Sequence, residues 1–409
     1  MLKRVEKQNL KDLKDACVLA KDAKFPSPFD SKLEFSCSAR GPWNIVHTGM
    51  LIPQAHEVYV CAQSCLRGVV LTAAEMNAID RFSNIIVREN NILEGDTEDL
   101  IVEGMGDILE KLPYTPRAIL VYTSCIHHFI GCDLNLVYKR LREKYPNVEF
   151  TDCYMNPIMR KSGLTPDQLM RRQLYSLLDK QDLDLKSVNI IGNNLKTDDD
   201  SELVKIIKEN GFTLREVPRT KTYDEYKDMG KAFLNITYNP AAIEAGRYLE
   251  KKLGQKHIYL PLSYGFDEIE KTLDTLCENL GIEKIDFTSN KQQALDALKK
   301  AKEVIGDTPI EIDYTLTLRP ASLARLLLEN GFNVVSIYED CFAGEEEEDF
   351  KWIQENYPNL KIYATVHVKM RFVNRKRDEK LLALGQKAAY FTGSNNFVNI
   401  VEGGGMYGF

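Results

Sequence analysis

The sequence is poor in tryptophan and histidine, with two and six in 409 residues, and has no long apolar run. A membrane span needs about 18 continuous apolar residues, so no membrane role is expected. There is no basic excess. The 53 Lys and Arg against 60 Asp and Glu give a net charge of −7, which argues against general nucleic-acid binding. The first residues, MLKRVEKQNLKDLKDACVLAKDAKF, are charged throughout and lack the apolar core of a secretion signal. A cytoplasmic chain is expected. Nine cysteines are odd in number and too sparse for a disulfide scaffold. In a reducing compartment, clustered thiols point to metal binding or catalysis instead. The chain has no G-x-x-x-x-G-K-[ST] loop, so no ATP site is expected on it. Nor does it have a C-x-x-C pair, the unit of zinc sites and small ferredoxins.

What is present is 44% apolar and 28% charged, ordinary globular composition. Short β-branched runs alternate with amphipathic stretches. Strands are expected at 118–122, 148–150, 188–191, 233–238, 258–260, 310–314, 334–338, 362–366 and 389–391. Helices are expected at 201–209, 241–252, 266–280, 290–302 and 320–329. Pro240 and Pro320 stand near helix starts, and Gly211 and Gly331 just past helix ends. This alternation predicts an α/β fold of several Rossmann-like parallel-sheet domains with helices on both faces.

Two local echoes recur. Glu209-Asn210-Gly211-Phe212 returns as Glu329-Asn330-Gly331-Phe332, 120 residues on, each between a helix and a strand. Tyr145-Pro146-Asn147-Val148 returns as Tyr357-Pro358-Asn359-Leu360. They are either repeated capping chemistry or traces of similar units. Soft boundaries near 185 and 305 divide the chain into 1–185, which bears most cysteines, 186–305 and 306–409. The acidic run Glu345–Asp349 and the basic stretch Lys369–Lys380 read as solvated surface, with a docking role open. The glycine-rich end, Glu402 to Phe409, reads as a flexible terminal packing segment.

Seven cysteines precede residue 155: Cys17, Cys37, Cys61, Cys65, Cys125, Cys132 and Cys153. Cys17, on a helix-like segment, and Cys153, Cys277 and Cys341 read as small packing residues. Cys125 differs, because it directly follows the strand AILVYT, where an α/β sheet places ligands. Cys61 and Cys65 would share a face if they lay on one helix.

Four stretches then stand in order. Cys37 is followed closely by Gly41. His56-Glu57-Val58-Tyr59-Val60-Cys61 has the outline of His-Gly-Pro-x-x-Cys. Glu89 to Gly95 with Leu100 forms an acidic-x-x-Ile-x-x-Gly segment. Tyr122-Thr123-Ser124-Cys125 running to Ile130-Gly131-Cys132-Asp133 has the outline of Thr-Thr-Cys…Ile-Gly-Asp-Asp. Together they resemble the nitrogenase component 1 family: nitrogenase α and β chains, cofactor-assembly scaffolds and nitrogenase-like tetrapyrrole reductases. Cys61 follows Cys37 by 24 residues and Cys125 follows Cys61 by 64, which also fits.

The resemblance implies that Cys37, Cys61 and Cys125 ligate an iron–sulfur cluster, either 4Fe-4S or larger and P-cluster-like. The cluster would lie at a domain and subunit interface shared with a second chain, in a homodimer or a heterodimer with a paralogue. Cys65 and Cys132 depart from the family pattern and are possible extra ligands or small buried residues. His56 keeps the family position but loses the following Gly-Pro. His127 and His128 flank a candidate ligand, with roles at the cluster or as caps both open. The resemblance further implies a separate P-loop ATPase iron–sulfur protein that delivers low-potential electrons, and a small-molecule substrate. A true nitrogenase chain also anchors its cofactor through a mid-chain cysteine and a late histidine. Here no cysteine lies between Cys153 and Cys277, and His367 is the last histidine. The expected function is therefore a nitrogenase-like oxidoreductase component, with a cluster scaffold lacking turnover as the alternative.

Overall fold

The computed structural model describes residues 13, 15–30, 34–39, 41, 44–155, 163–373, 375 and 380–409. Its strands are β1 (Cys17–Leu19), β2 (Ala55–Cys61), β3 (Phe82–Ile86), β4 (Ala118–Ser124), β5 (Glu149–Met155), β6 (Asp184–Ile190) and β7 (Thr213–Glu216), followed by β8 (Ala232–Thr237), β9 (Lys256–Tyr259), β10 (Ile310–Asp313), β11 (Val334–Tyr338), β12 (Lys361–Tyr363), β13 (Leu382–Leu384) and β14 (Phe397–Val398). They form three sheets, ordered β3-β2-β4-β5, β7-β6-β8-β9 and β1-β12-β11-β10-β13-β14. Every pairing is parallel except that of β1 with β12. In each sheet the strand order reverses beside the first parallel strand, at β2/β4, β6/β8 and β10/β13. A reversal opens a crevice beyond the carboxyl ends of two strands, where such sheets bind ligands. The α/β architecture expected from the alternating pattern is thus what the chain adopts.

By contacts the chain divides into two compact units. One takes in Trp43–Lys196 and Ile207–Tyr259, and carries the first two sheets. The other takes in Met1–Pro42, Thr197–Ile206 and Leu260–Phe409, and carries the third.

The first sheet is sandwiched between helices. β2 and β4 are buried at every residue, as strands covered on both faces must be. Alternation sends Tyr59, Cys61, Leu120 and Tyr122 to one face, with Val46, Leu66, Ala73 and Met170 from three helices. Val58, Val60, Ile119 and Val121 pack on the other, against Ile101, Met105, Val137 and Leu141. Tyr59 stacks on Tyr122 at 4.3 Å with 4° between the rings, and on Phe82 at 4.9 Å.

Beneath this stack lies Glu57, fully buried. It accepts hydrogen bonds from the Tyr59 hydroxyl at 2.9 Å and the Tyr122 hydroxyl at 3.4 Å. Burial raises its carboxyl well above the usual range, outweighing those hydroxyls and Arg81. A carboxyl whose pKa is higher folded than unfolded stabilises the protein fully at pH values below the unfolded value. That contribution is lost as pH rises towards the folded value. Glu57→Gln is therefore expected to raise the melting temperature at pH 8 and to leave it nearly unchanged at pH 4. Thermal unfolding at the two pH values checks this, and an equal shift at both would refute it.

Both sequence echoes are repeated capping geometry. Gly211 and Gly331 take φ of 75° and 77°. Phe212 then donates to Ile207 O, and Phe332 to Leu327 O, each at about the same distance, 3.1 and 3.0 Å. Tyr145 and Tyr357 end helices Leu134–Lys144 and Glu347–Asn356, and their carbonyls accept from Val148 N and Leu360 N.

Four local expectations are corrected. Residues 389–391 belong to helix Gln386–Thr392, because a short apolar run between glycines suits a buried helical turn equally well. The neighbouring strand is β13. Cys17 lies in β1, paired with Tyr363, and not on a helix. Glu346 of the acidic run is fully buried. It accepts from Ala321 N at 2.7 Å, Ser322 N at 3.3 Å and Ala343 N at 3.2 Å, and burial pushes its pKa up to about 7. Glu346→Ala strands those donors and is expected to cost about 2–4 kcal/mol, read by denaturant unfolding. The terminal glycines are held in place: Glu402 and Gly403 donate to Thr315 O and Leu316 O, and Gly405 O accepts from Asp198 N. In the basic stretch Lys369 pairs with Asp15 at 2.9 Å, while residues 374 and 376–379 lie outside the described residues.

Candidate functional site

The reversal in the first sheet falls between β2 and β4, and both strands run out into cysteine-bearing turns. Val60 pairs with Thr123, so Cys61 and Ser124 end their strands side by side. Cys125 opens helix Cys125–Ile130, and Cys65 closes the turn Gln63–Cys65 before helix Leu66–Glu75. The spacing that suggested a shared helix face for Cys61 and Cys65 is instead a strand end followed by a turn.

The thiols at this edge differ sharply. Cys61 has no exposed surface and packs in the core with Tyr59, Tyr122 and Leu66. Burial, and then the neighbouring Cys65, push its thiol up to about 12. Cys65 is exposed and Cys125 half-buried. Cys132 is half-buried, and burial with the Glu98 carboxylate pushes its thiol up to about 12. Thiolate is the metal-binding form, so Cys61 and Cys132 are poor ligands as placed.

The turn carrying Cys125 is locked from both ends. The Ser124 N–H donates to His127 Nδ1 at 3.2 Å, with imidazole taking the place that Glu or Gln fills in a capping box. Gly131 closes the helix with φ of 69°. Asp133 then caps helix Leu134–Lys144 through Leu136 N at 3.0 Å, and Glu98 accepts from Asp133 N at 2.7 Å. His127 is only 2% exposed, and burial lowers its pKa below the usual value. Its Nε2 is buried with no hydrogen-bond partner among the described residues. His128 is exposed. His56 sits at the opposite, amino end of β2. Its ring nitrogens bond Tyr114 and Ser83 at 2.8 Å each, and burial lowers its pKa to about 4. It is a structural residue.

Cys37 belongs to the other compact unit. It is half-buried on a segment tied down by the Phe35 N–H to Val366 O bond at 2.7 Å, against a cluster containing Tyr338, Tyr363, Met370 and Phe391. Near it lies Lys387, a buried cation whose pKa is held up by Tyr314 and Cys37 against the effect of burial. Cys153 and Cys277 are buried packing residues as expected, whereas Cys341 is exposed. No disulfide joins any of the nine cysteines, and among the described residues no three His, Cys, Asp or Glu side chains cluster closely enough to hold a metal ion.

Large apolar side chains stand exposed on the helices that follow β2, β3 and β4. Leu71 is 60% exposed, Leu93 84% and Phe129 69%, with Ile92 and Ile130 beside the last two in sequence. Such a rim around a crevice marks an interaction face. In the same unit a cavity of about 440 Å³ lies beyond β6 and β7, lined by Met50, Arg81, Asn194, Val217, Pro218 and Thr220 among others. Arg81 there is committed to the carbonyls of Met50, Ile52 and Ala55. Linear reading missed the contrast between Cys61 and Cys65 and the open nitrogen of His127. Only the order of strand end, turn and helix start separates them, and β2 was not expected as a strand.

The sequence model of nitrogenase component 1 type oxidoreductases matches residues 46–394, and the chain belongs to that family. The nitrogenase iron-molybdenum cofactor biosynthesis protein NifE of Clostridium pasteurianum is 23% identical over 259 residues, covering 61% of this chain. The match spans about half, 53%, of that relative. Among solved structures, nitrogenase Cp1 at pH 6.5 superposes with a TM-score of 0.67 over 90% of this chain and 87% of its own, at 14% identity. The same protein at pH 5 gives 0.57 over 93% and 87%. At that identity the likeness is one of fold. Among the described residues no helix is long and apolar enough to cross a membrane.

Proposed function

We propose that this chain holds an iron–sulfur cluster at the carboxyl edge of its first sheet, on a face completed by a second copy or a paralogous chain. One observation carries the reading. Cys125 and the Cys61/Cys65 turn flank the strand-order reversal, amid exposed apolar side chains. The donor set suits the group, because a cluster takes about four thiolates and can draw them from two chains. Exposure favours Cys65 over Cys61, so the ligand set becomes Cys37, Cys65 and Cys125, with Cys61 packed beneath. Cys132 stays a thiol bonded to Glu98 and is not a ligand.

When bound, the cluster supplies one-electron storage at low potential. The chain's own residues fix its position, exclude water from its inner side through the Tyr59–Tyr122 stack, and offer the docking rim. ATP is hydrolysed on a separate P-loop iron–sulfur protein, and the electrons go on to a bound small molecule. The protein acts in the cytoplasm. A second reading is a scaffold that builds or holds a cluster without turnover. It is favoured by the likeness to a cofactor biosynthesis protein and by the lack of a cysteine between Cys153 and Cys277.

Anaerobically purified protein is expected to contain iron and sulfide, and to run as a dimer or larger assembly by light scattering. Reduction by a P-loop iron–sulfur partner with ATP, without loss of iron, supports the reductase. Transfer of iron to an acceptor apoprotein supports the scaffold. Absence of iron after anaerobic reconstitution sinks both.

A further inference from the structure

His127 is the one side chain at the candidate site whose hydrogen bonding is left half complete. The Ser124 N–H, 3.2 Å away, points at Nδ1 and so makes that nitrogen the acceptor. A neutral imidazole with a lone pair on Nδ1 carries its hydrogen on Nε2. That Nε2–H is buried and meets no acceptor among the described residues. A buried donor left unmet costs about 1–3 kcal/mol, so such a group usually marks a missing partner. A glutamine at the same helix position would cap Ser124 equally well without it. The ring is fixed by its cap, two residues from Cys125 and one turn ahead of the exposed Phe129. The missing partner is therefore an acceptor that arrives at this edge from outside the chain.

We propose that His127 donates its Nε2–H to a sulfur of the cluster held at Cys125, and so is a positioning residue that sets the cluster's reduction potential. This rests on the cluster reading above. Hydrogen bonds to sulfide or thiolate sulfur stabilise the more negative, reduced state and raise the potential. No proton moves in this role. The imidazole stays neutral in both oxidation states, and the electron arrives from the reductant used.

The test compares wild type, His127→Phe and His127→Gln after anaerobic reconstitution, with iron and sulfide measured first and midpoint potentials read by EPR-monitored titration. Phenylalanine keeps the ring's bulk and removes the donor; glutamine keeps the cap and restores an N–H. The expected result is wild-type iron content in all three, a more negative midpoint in His127→Phe, and a midpoint nearer wild type in His127→Gln. A purely structural role would change iron content or unfolding temperature and leave the potential in place. Equal midpoints in all three overturn the proposal. Should His127→Phe fail to fold, pulsed EPR on reduced wild-type protein labelled with 15N-histidine decides. A resolved 15N coupling that disappears in His127→Gln supports the bond, and no coupling overturns it. Wild-type protein without iron instead overturns the cluster reading itself, so the two failures are told apart by the first measurement.

Discussion

Cys125→Ala is expected to purify folded and to hold almost none of the wild-type iron and sulfide. The side chain is half-buried on the first residue of a helix whose caps are made by other groups, so alanine should cost little stability. Its loss removes a ligand outright. Outer-shell changes alone lower metal affinity by about 10–100-fold, and losing a ligand lowers it further. Cys65→Ala is expected to behave the same way, because its thiol is exposed at the neighbouring strand end. Cys61→Ala should do the reverse. It should keep its iron and lower the unfolding free energy by about 1–2 kcal/mol, since it removes a fully buried thiol from the core. Iron analysis and denaturant unfolding of the three variants decide the matter. Loss of iron in Cys61→Ala with retention in Cys65→Ala would return the ligand role to Cys61.

The second large effect lies in the other unit, where Gly385→Ala is expected to unfold or nearly unfold the third sheet. Gly385 has φ of 115°, a conformation that L side chains rarely adopt. An added Cβ would stand 2.3–2.6 Å from the Asp313 carboxylate. That carboxylate is fully buried and accepts from Thr315 N at 2.7 Å and Ala388 N at 2.6 Å, joining the turn after β10 to the helix after β13. Backbone strain costs about 1–3 kcal/mol and overpacking about 1–3 more, before any loss from unseating Asp313. A total of about 3–6 kcal/mol is comparable with the stability of many domains. Circular dichroism melting of the variant checks this, and a melting temperature within a few degrees of wild type would contradict it.

How much was legible varies by residue. The runs AILVY and VVSIY read directly as β4 and β11, because strands covered on both faces have near-continuous apolar sequences. Helices Phe266–Leu280 and Pro320–Glu329 fall where the periodicity put them, between a proline or glycine start and a glycine stop. β2 was hidden because it buries His56 and Glu57 in its first half. Their partners, Tyr114, Ser83, Tyr59 and Tyr122, come from other strands and turns, so nothing local announces that these polar groups are satisfied. β1 was hidden for a similar reason. Three residues pair only because β12 offers an edge, and no short segment carries that information.

The sequence by itself determined the class of fold, the family and the set of cysteines worth considering. Those rest on alternation, caps and local motifs, which are written along the chain. The tertiary structure decided which thiols at that edge are available. Cys61 and Cys65 are four residues apart and chemically identical in sequence, yet one is sealed beneath a tyrosine stack and the other stands in solvent. That difference comes from strand register and burial, which raise a thiol's pKa only once the chain has folded around it. The same holds for His127, whose capping bond fixes its tautomer and leaves its second nitrogen turned to an edge that the sequence alone could not describe.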